Sequence, residues 1–237
     1  MIRIKELYKR FGKLEALKRV TADFNPGEVI SLIGPNGSGK TTLIKSILGL
    51  VKADSGIIEV NGRSVNGDPD YRSGIGYMPQ IGRYPDNMKV GQLLTMIREI
   101  RNNPQQDTEL EEEFSIQDIR EKALGTLSGG TKQKVNATLA FLFNPPILIL
   151  DEPTAGLDPL STEILKAKID REKKKNKLII VTSHVLSDLE ELTTHVAYMQ
   201  EGNLLFKKDL STLQQETGEQ KLGRAIADIM RRHATQK

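Results

Sequence analysis

The sequence contains no cysteine and no tryptophan, and only 5% of its 237 residues are aromatic. Without cysteine the chain can form neither a disulfide framework nor a thiolate metal site, which fits a reducing compartment. The longest aliphatic candidate for a membrane segment, 147–150, falls far short of the ~20 residues that a spanning helix requires. We therefore expect any membrane role to depend on a partner.

The charge balance gives little functional information. The formal net charge is +3 and 27% of the residues are charged, so the basic runs at 171–175 and 231–232 are interpreted as solvated helix faces. The amino terminus alternates charged and apolar residues and shows no apolar core of a secretory signal. These patterns predict a cytoplasmic protein that binds no nucleic acid. The length suits one large domain, with or without an inserted subdomain.

The most informative stretch is GPNGSGKT at 34–41, which is the complete phosphate-binding pattern GxxxxGK[ST]. A β-branched run at 28–33 precedes it, and helical apolar spacing at 42–50 follows it, so a strand and a helix flank it on the correct sides. Glycines let backbone N–H groups turn toward an anion, and the helix start adds the positive end of its dipole. The predicted phosphate-binding residues are Gly34, Asn36, Gly37, Ser38, Gly39, Lys40, Thr41 and Thr42.

Two of these residues have expected individual roles. Lys40 would reach the β- and γ-phosphate oxygens, and the Thr41 hydroxyl would be one ligand of Mg²⁺. The alternative is a glycine-rich turn with a helix cap and no ligand. The presence of every fixed position of the pattern, with the strand and the helix in place, argues against that alternative.

Periodicity along the rest of the chain predicts three kinds of substructure. Alternating patterns at 2–7 and 16–24 predict a small antiparallel sheet. Helical apolar spacing with dense charge at 90–101 and 109–124 predicts a helical insertion. The uninterrupted aliphatic run at 147–150 predicts a central parallel strand that is covered on both faces.

We therefore predict an α/β fold: a P-loop NTPase core with a mainly parallel central sheet, an N-terminal antiparallel β subdomain and an inserted helical subdomain. One domain, 1–237, is expected. Its parts are a core at 1–80 and 127–208, a helical insertion at 81–126 and a short helical tail at 209–237.

Polar residues follow the predicted strands where each strand ends. Ligands of parallel sheets bind beyond the carboxyl ends of the strands, so Asp151, Glu152 and His184 are expected beside the phosphate loop. Asp151 would anchor Mg²⁺ together with Thr41, and Glu152 would polarise the attacking water as general base. Gln80 is a candidate bridge from the metal or the water to the insertion, and His184 is a candidate partner of the γ-phosphate.

Each of these residues also has a plainer interpretation. Adjacent acids often form a solvated turn, Gln80 can be an ordinary loop residue, and a lone histidine is more often structural than catalytic. Phe11, before a glycine turn, either packs in the core or stacks on a purine ring. The segment 81–85 suits docking to another protein as much as it suits loop packing.

A second helix start has the composition of an anion site. Leu127-Ser128-Gly129-Gly130 opens a long helix that is expected to run through Leu142. Ser128 is a good N-cap, and the two glycines leave the first backbone amides uncovered. We expect an anionic group there.

The order of these motifs resembles the nucleotide-binding subunit of ABC transporters over nearly the whole chain. The GPNGSGKTT stretch is similar to the Walker A loop, and LSGGT at 127–131 is similar to the family signature. ILILDEP at 147–153 resembles the Walker B strand with its catalytic glutamate, and AGLD at 155–158 resembles the D-loop. Three single residues match further family positions: Gln80 the Q-loop glutamine, His184 the switch histidine and Phe11 the base-stacking aromatic.

The resemblance implies an ATPase in which two such domains sandwich ATP and Mg²⁺ head to tail. Ser128, Gly129 and Gly130 of one copy would contact the γ-phosphate bound to Lys40 of the other, and Asp158 of the D-loop is counted with the nucleotide-binding residues. Two positions depart from the family pattern: Thr131 replaces the usual glutamine of the signature, and Phe11 lacks the hydroxyl of the usual tyrosine. The first departure would affect only the fine transmission of conformational change, and the second would weaken the contact with the base slightly.

The resemblance also implies a partner and a location. Closure on ATP would move the insertion and, through 81–85, pull on a separately encoded membrane subunit at the inner face of the cell membrane. Parts of the tail, TGE and LGRAIADIM, together with GYMPQIGRYPDNMKV and LSGGTKQKVN, are similar to the ATPases of copper- or sulfur-handling systems that mature nitrous-oxide reductase. No residue identifies the cargo.

Two other functions stay open at this point. One is a soluble ABC-type module that acts on nucleic acid or ribosomes, but such proteins usually carry tandem nucleotide domains or coiled coils, and neither pattern appears in the sequence. The other is an ATPase that drives assembly or signalling through a membrane partner without moving a solute.

Overall fold

A computed structural model describes residues 1–67, 69–183 and 190–234. The strands are β1 (Ile2–Phe11), β2 (Leu14–Phe24), β3 (Val29–Ile33), β4 (Ser55–Val60), β5 (Arg63–Ser64), β6 (Ile75–Met78), β7 (Ile147–Asp151), β8 (Leu178–Thr182), β9 (His195–Gln200) and β10 (Asn203–Asp209). The α-helices are α1 (Lys40–Ile47), α2 (Val90–Arg101), α3 (Glu109–Glu113), α4 (Gly129–Phe141), α5 (Pro159–Lys174), α6 (Leu210–Thr217) and α7 (Leu222–Ala234).

Two sheets form the framework, as predicted. An antiparallel sheet has the strand order β2-β1-β4-β5, and the main sheet has the order β10-β9-β3-β8-β7-β6. In the main sheet every pairing from β6 to β9 is parallel, and β10 runs antiparallel at one edge. The predicted α/β class is therefore confirmed. β8 lies between β3 and β7, whereas β7 is second from the edge rather than at the centre.

The main sheet is covered on both faces because its aliphatic strands have no polar side. All five residues of β7 are buried. Ile147 and Ile149 belong to the apolar cluster that contains α1 and the antiparallel sheet, whereas Leu148 and Leu150 belong to the cluster that contains α4 and α5. This alternation follows from the two-residue period of a strand. Apolar packing on both faces of the sheet therefore fixes the positions of its strand ends.

The predicted insertion contains the expected helix at Val90–Arg101, but the prediction of helix across 109–124 is wrong. The α-helix ends at Glu113, and two 3₁₀ turns, Ile116–Ile119 and Leu124–Thr126, follow it. Ser115 adopts a left-handed conformation with φ of 50°, which a helix does not accommodate. The apolar residues of this segment belong instead to a buried cluster that also contains residues of α4. Within 109–124 the buried members of this cluster are Leu110, Phe114, Ile116 and Leu124.

The tail is more firmly attached than its polar sequence suggested. In its described part, α7 buries Leu222, Ala225, Ile226 and Ile229, and the cluster around them includes Ile33, the residue before the phosphate loop. This one-sided stripe is the pattern of a surface helix on a core. Within the described ranges, no helix combines the length and the apolar character that crossing a membrane requires.

Candidate functional site

The carboxyl ends of β3, β6, β7 and β8 meet at one edge of the main sheet, and a cavity of about 240 Å³ opens there. It brings together most of the predicted site residues from distant parts of the chain: Phe11, Asn36, Gly37, Ser38, Gly39, Lys40, Thr41, Thr42, Gln80, Asp151 and Glu152. Leu14, Ala16 and Thr182 line it as well. The expectation that the acids lie beside the phosphate loop agrees with this geometry.

The phosphate loop depends on glycine where the chain passes closest to its neighbours. Gly39 has φ of 106°, and a Cβ there would lie 2.5 Å from the Ala16 carbonyl oxygen. A Cβ at Gly34 would overlap the Met199 carbonyl oxygen. No side chain caps the start of α1, and Ser38 Oγ is buried without a hydrogen-bond partner among the described residues. The amides at the start of α1 and the Ser38 hydroxyl therefore have hydrogen-bonding capacity that suits an anion.

Lys40 is held by neutral oxygens of the loop itself. Its Nζ donates to the Gly34 carbonyl at 2.6 Å and to the Pro35 carbonyl at 3.1 Å. Burial lowers the pKa of Lys40, although the negative charges of Glu152 and Asp151 oppose the shift. An anion in the cleft would provide this ammonium with a stronger partner than the carbonyls.

Thr182 connects the two acids at the end of β7. Its hydroxyl donates to Asp151 Oδ1 at 2.6 Å and accepts from the Glu152 backbone N–H at 3.1 Å. Both acids are buried, and Glu152 has φ of 52°. Burial raises the pKa of Tyr77 to about 12, and the negative charge of Asp151 contributes to the same shift. The position of β8 between β3 and β7 places Thr182 here.

Sequence reasoning missed Thr182 as a site residue, although a signal existed. It is the polar residue that follows the aliphatic run at 178–181, at the carboxyl end of β8, and it lines the same edge as the two acids. Such residues are positioned to contact ligands of α/β sheets. The following histidine, His184, lies outside the described residues.

Phe11 and Gln80 lie on the rim of the cleft. Phe11 is 47% exposed, so it does not pack in the core, and Lys9 Nζ lies 5.1 Å from its ring centroid. An exposed aromatic face beside a phosphate loop suits stacking on a purine. Gln80 is exposed and follows β6 by two residues.

The second predicted anion site does not line the cleft. At the start of α4, Ser128 Oγ accepts from the Thr131 backbone N–H at 3.2 Å. A Cβ at Gly129 would meet open space, whereas one at Gly130 would lie 2.5 Å from the Gly156 carbonyl oxygen. This helix start is therefore exposed and carries one side-chain cap, and its first residues are not among those that line the cleft of the same chain.

Asp158 lies with this second group. It caps α5 by accepting from the Ser161 backbone N–H at 2.9 Å, and it pairs with Lys134 of α4 at 2.9 Å. The Ser161 backbone N–H, together with Lys134 and the Ser161 hydroxyl, holds the pKa of Asp158 well below its usual range. In this chain the carboxylate therefore joins α4 to α5.

The donor atoms of the cleft suit a magnesium ion that arrives with phosphates. No group of three or more histidine, aspartate or glutamate side chains able to hold a metal occurs in the described part of the chain. Mg²⁺ keeps several waters and typically takes one or two protein oxygens plus substrate phosphates. Thr41, Gln80 and Asp151 offer such oxygens in one cleft. The donor set therefore fits Mg²⁺ bound with a nucleotide.

Comparison with known proteins supports this interpretation. The ABC transporter family model matches residues 17–155. The ABC transporter ATP-binding protein YtrB of Bacillus subtilis (strain 168) is 31% identical over 91% of this chain and 74% of that protein. ABC transporter A family member 11 of Dictyostelium discoideum is 35% identical over 75% of this chain. The match spans only 22% of that longer protein.

Solved structures agree. The structure of an ATP-binding subunit of an ABC transporter has a TM-score of 0.88 and 28% identity, and the match covers 97% of this chain and 99% of that one. The dimeric structure of a bacterial ABC transporter cassette has a TM-score of 0.78 over 89% of this chain and 99% of that one. At 23% identity, this second likeness shows the fold alone.

Proposed function

Because this chain belongs to the ABC transporter family, in which it is an ATP-binding and ATP-hydrolysing subunit, we propose that it powers a separate membrane permease through ATP-driven closure of a dimer. One observation carries the proposal. The cleft collects Lys40, Asp151 and Glu152 at one sheet edge but is not lined by Ser128 and its neighbours. Each chain thus supplies most of one nucleotide site and, apart from it, an exposed helix start that fits the nucleotide site of a second copy.

In this proposal ATP lies with its purine on the exposed face of Phe11 and its phosphates over the start of α1. Lys40 exchanges the carbonyls of Gly34 and Pro35 for β- and γ-phosphate oxygens. The exchange is favourable because a charged acceptor forms a stronger hydrogen bond than a neutral carbonyl. The uncapped amides of α1 and the buried Ser38 hydroxyl gain partners at the same time.

Thr41, Gln80 and Asp151 are the residues that would hold Mg²⁺, and the ion supplies charge neutralisation on the phosphates when it is bound. Thr182 supports this arrangement because its hydroxyl donates to Asp151 Oδ1 and so orients the carboxylate. Of the three proposed magnesium residues, Asp151 is thus positioned by strand β7 of the sheet and Thr41 by helix α1.

Glu152 is the proposed general base. It accepts a proton from the attacking water while the water oxygen bonds to the γ-phosphorus and the bond to the β–γ bridging oxygen breaks, which releases ADP and phosphate. The backbone N–H of Glu152 donates to the Thr182 hydroxyl, which fixes the backbone from which the carboxylate extends. His184 is proposed to hold the water or the γ-phosphate.

The second copy is proposed to complete the site with Ser128, Gly129 and Gly130. The positive end of the α4 dipole and the first amides of that helix suit a γ-phosphate. Asp158, which pairs with Lys134 of the same helix, would lie at this dimer contact. A head-to-tail dimer supplies both sites in this way, and a lone chain should be nearly inactive.

The permease is proposed to dock on 81–85, where Ile81 is 71% exposed, and this contact would bring the protein to the inner face of the cell membrane. The cargo is a separate question. A link to copper handling or nitrous-oxide-reductase maturation rests on the resemblance of short stretches such as the tail, and it stays a prediction.

The base is tested by Glu152→Gln. We expect this variant to bind ATP and to dimerise but to turn over on the order of a hundred-fold more slowly than the unaltered protein. Steady-state hydrolysis and sedimentation with Mg-ATP measure the two properties. Glu163→Gln, which changes an exposed acid of α5 that pairs with Lys166, serves as the control. Near-normal turnover of Glu152→Gln would remove Glu152 from the role of base.

The dimer is tested by Ser128→Arg. A bulky cation at this helix start should abolish turnover and ATP-dependent dimerisation, while nucleotide affinity of the single copy stays close to normal. Ser64→Arg, on an exposed strand of the antiparallel sheet, is the matched control. If nucleotide affinity fell as far as turnover, the helix start would belong to the site of its own chain, and the cross-subunit assignment would be wrong.

A further inference from the structure

A directional chain of hydrogen bonds connects the loop at 81–85 with Glu152. The Tyr84 hydroxyl donates to Asn136 Oδ1 at 2.9 Å, and Asn136 Nδ2 donates to Gln133 Oε1 at 2.9 Å. Gln133 Nε2 donates to the Glu152 carbonyl oxygen at 3.4 Å. Each of the two amides accepts one bond and donates the next, so the chain has one consistent direction from the loop to the acid.

The middle of this chain is buried in the protein. Gln133 is 5% exposed and Asn136 is 2% exposed, and burial raises the pKa of Tyr84. A buried amide that loses its partner keeps its desolvation cost, so breaking one link disturbs the next. The geometry therefore makes Tyr84 and Gln133 dependent on each other through Asn136.

At the far end, the backbone of Glu152 is a sensitive point. Its φ of 52° is unfavourable for a residue with a side chain and persists only where surrounding contacts hold it. Its N–H donates to Thr182, and its carbonyl oxygen accepts from the Ala155 N–H at 3.1 Å and from Gln133. A change at Gln133 thus acts on the residue whose side chain is the proposed base.

At the near end, the loop touches Asn136 directly. A Cβ at Gly82 would overlap the Asn136 amide oxygen and would lie 2.8 Å from Tyr84 Cε2. Tyr84 also lines a cavity of about 230 Å³ together with residues of β6, α2 and α4. Asn136 therefore contacts the loop both by packing against Gly82 and through the hydrogen bond from Tyr84.

We propose that Tyr84, Asn136 and Gln133 are positioning residues that set the backbone of Glu152 according to the position of the loop at 81–85. The inference rests on the proposed function, since it takes Glu152 as the general base. A partner that binds the loop and displaces Tyr84 would break the hydrogen bond from Tyr84 to Asn136. Asn136 would then no longer hold Gln133 in position to donate to the Glu152 carbonyl oxygen. The position of the loop at 81–85 and the hydrolysis of ATP are thereby coupled within a single polypeptide.

The first test uses Gln133→Met and Tyr84→Phe, which remove hydrogen-bonding groups with little change of volume. We expect kcat for ATP to fall about ten-fold in Gln133→Met and a few-fold in Tyr84→Phe, with KM unchanged. Thr138→Val and Tyr71→Phe are the controls and should leave kcat unchanged. Thr138 bonds only locally to the Lys134 carbonyl in the described structure, and the Tyr71 hydroxyl has no described partner. Unchanged kcat in Gln133→Met would overturn the proposal.

Gly82→Ala tests the same chain without removing a polar group. The φ of Gly82 lies outside the range that favours glycine, so the loop backbone accepts alanine there. The new methyl group, however, would press against the Asn136 side chain. We expect a loss of kcat similar to that of Tyr84→Phe, again with unchanged KM. Normal kcat in this variant would show that the loop does not act through Asn136.

The last test separates positioning from general damage to the fold. In a Glu152→Gln background, Gln133→Met and Tyr84→Phe should cause no further loss of residual turnover, because the residue through which they act is already disabled. The double variant Tyr84→Phe/Gln133→Met should equal Gln133→Met alone. Further losses in the Glu152→Gln background, or additive losses in the double variant, would overturn the proposed coupling through Tyr84, Asn136 and Gln133. The proposed function would be unaffected. Near-normal turnover of Glu152→Gln by itself would instead remove Glu152 from the role of general base in the proposed function.

Discussion

The two edges of the main sheet use lysine and acidic residues in opposite ways. At the carboxyl edge, Lys40 rests on neutral loop carbonyls and burial lowers its pKa. At the amino edge, Lys168, Glu172 and Lys177 are buried and joined in one network of ion pairs. Charge held by weak partners remains available to a ligand, whereas charge held by strong partners stabilises the fold. The same residue types therefore indicate binding at one edge and stability at the other.

The network at the amino edge also joins separate parts of the chain. Lys168 Nζ lies 2.5 Å from Asp107 Oδ2, 2.7 Å from Glu109 Oε2 and 3.2 Å from Glu172 Oε1. Lys177 Nζ donates to Asn144 Oδ1 at 2.6 Å and pairs with Glu172. The network thus fastens the chain just before and within α3 to α5 and to the segments that enter β7 and β8.

The largest effect on stability is expected from Lys168→Met. It leaves three acids without their shared cation, and removal of one partner from a buried ion pair costs about 3–5 kcal/mol. Denaturant unfolding at neutral pH measures this loss. Lys166→Met on the same helix, where the partner Glu163 is exposed, should change the free energy of unfolding by less than about 0.5 kcal/mol. Equal effects of the two variants would contradict the contrast between the sheet edges.

An acid titration should show the second effect. Burial alone would raise the pKa of Glu172, but hydrogen bonds from Lys175 and Lys177, with Lys168 nearby, lower it to about 2. Because the folded pKa is depressed, the carboxylate contributes stability above its ordinary value of 4.5. The contribution, on the order of 3 kcal/mol, is lost as pH falls from about 4.5 to about 2.

Unfolding measured from pH 7 to pH 2.5 on the unaltered protein and on Glu172→Gln tests this expectation. The glutamine variant should be less stable at pH 7, and the two proteins should converge toward the acid limit. A constant difference across the whole range would mean that Glu172 titrates normally in the folded state.

The smallest effect on stability is expected from Lys40→Met. Burial lowers the pKa of this ammonium, so at neutral pH the folded state carries a cost that the substitution removes along with two hydrogen bonds. The free energy of unfolding should therefore change by less than about 0.5 kcal/mol. Saturating Mg-ATP should raise Tm for the unaltered protein and for Lys45→Met, an exposed change on the same helix, but not for Lys40→Met. A strongly destabilised Lys40→Met would show that the carboxyl edge also maintains the fold.

Most local structure was predictable because it depends on short, contiguous patterns. The helix at 90–101 agrees with the prediction to the residue, and β7 and α1 differ by one to three residues at their ends. The helix expected at 109–124 failed because a left-handed Ser115 interrupts a pattern that looks helical. Apolar spacing does not show which backbone conformation a single polar residue adopts.

The sequence by itself determined the phosphate loop, the two acids at the end of β7 and the glycines of the second helix start, because each is a motif of neighbouring residues. Only the tertiary structure decided that Thr182 joins Asp151 to Glu152, that Asn136 receives the Tyr84 hydroxyl and that Lys168 collects acids some 60 positions earlier in the chain. Contacts of this kind follow from strand order and from the way helices pack on the sheet. No spacing within a linear pattern encodes them, since the partners become neighbours only after the chain has folded.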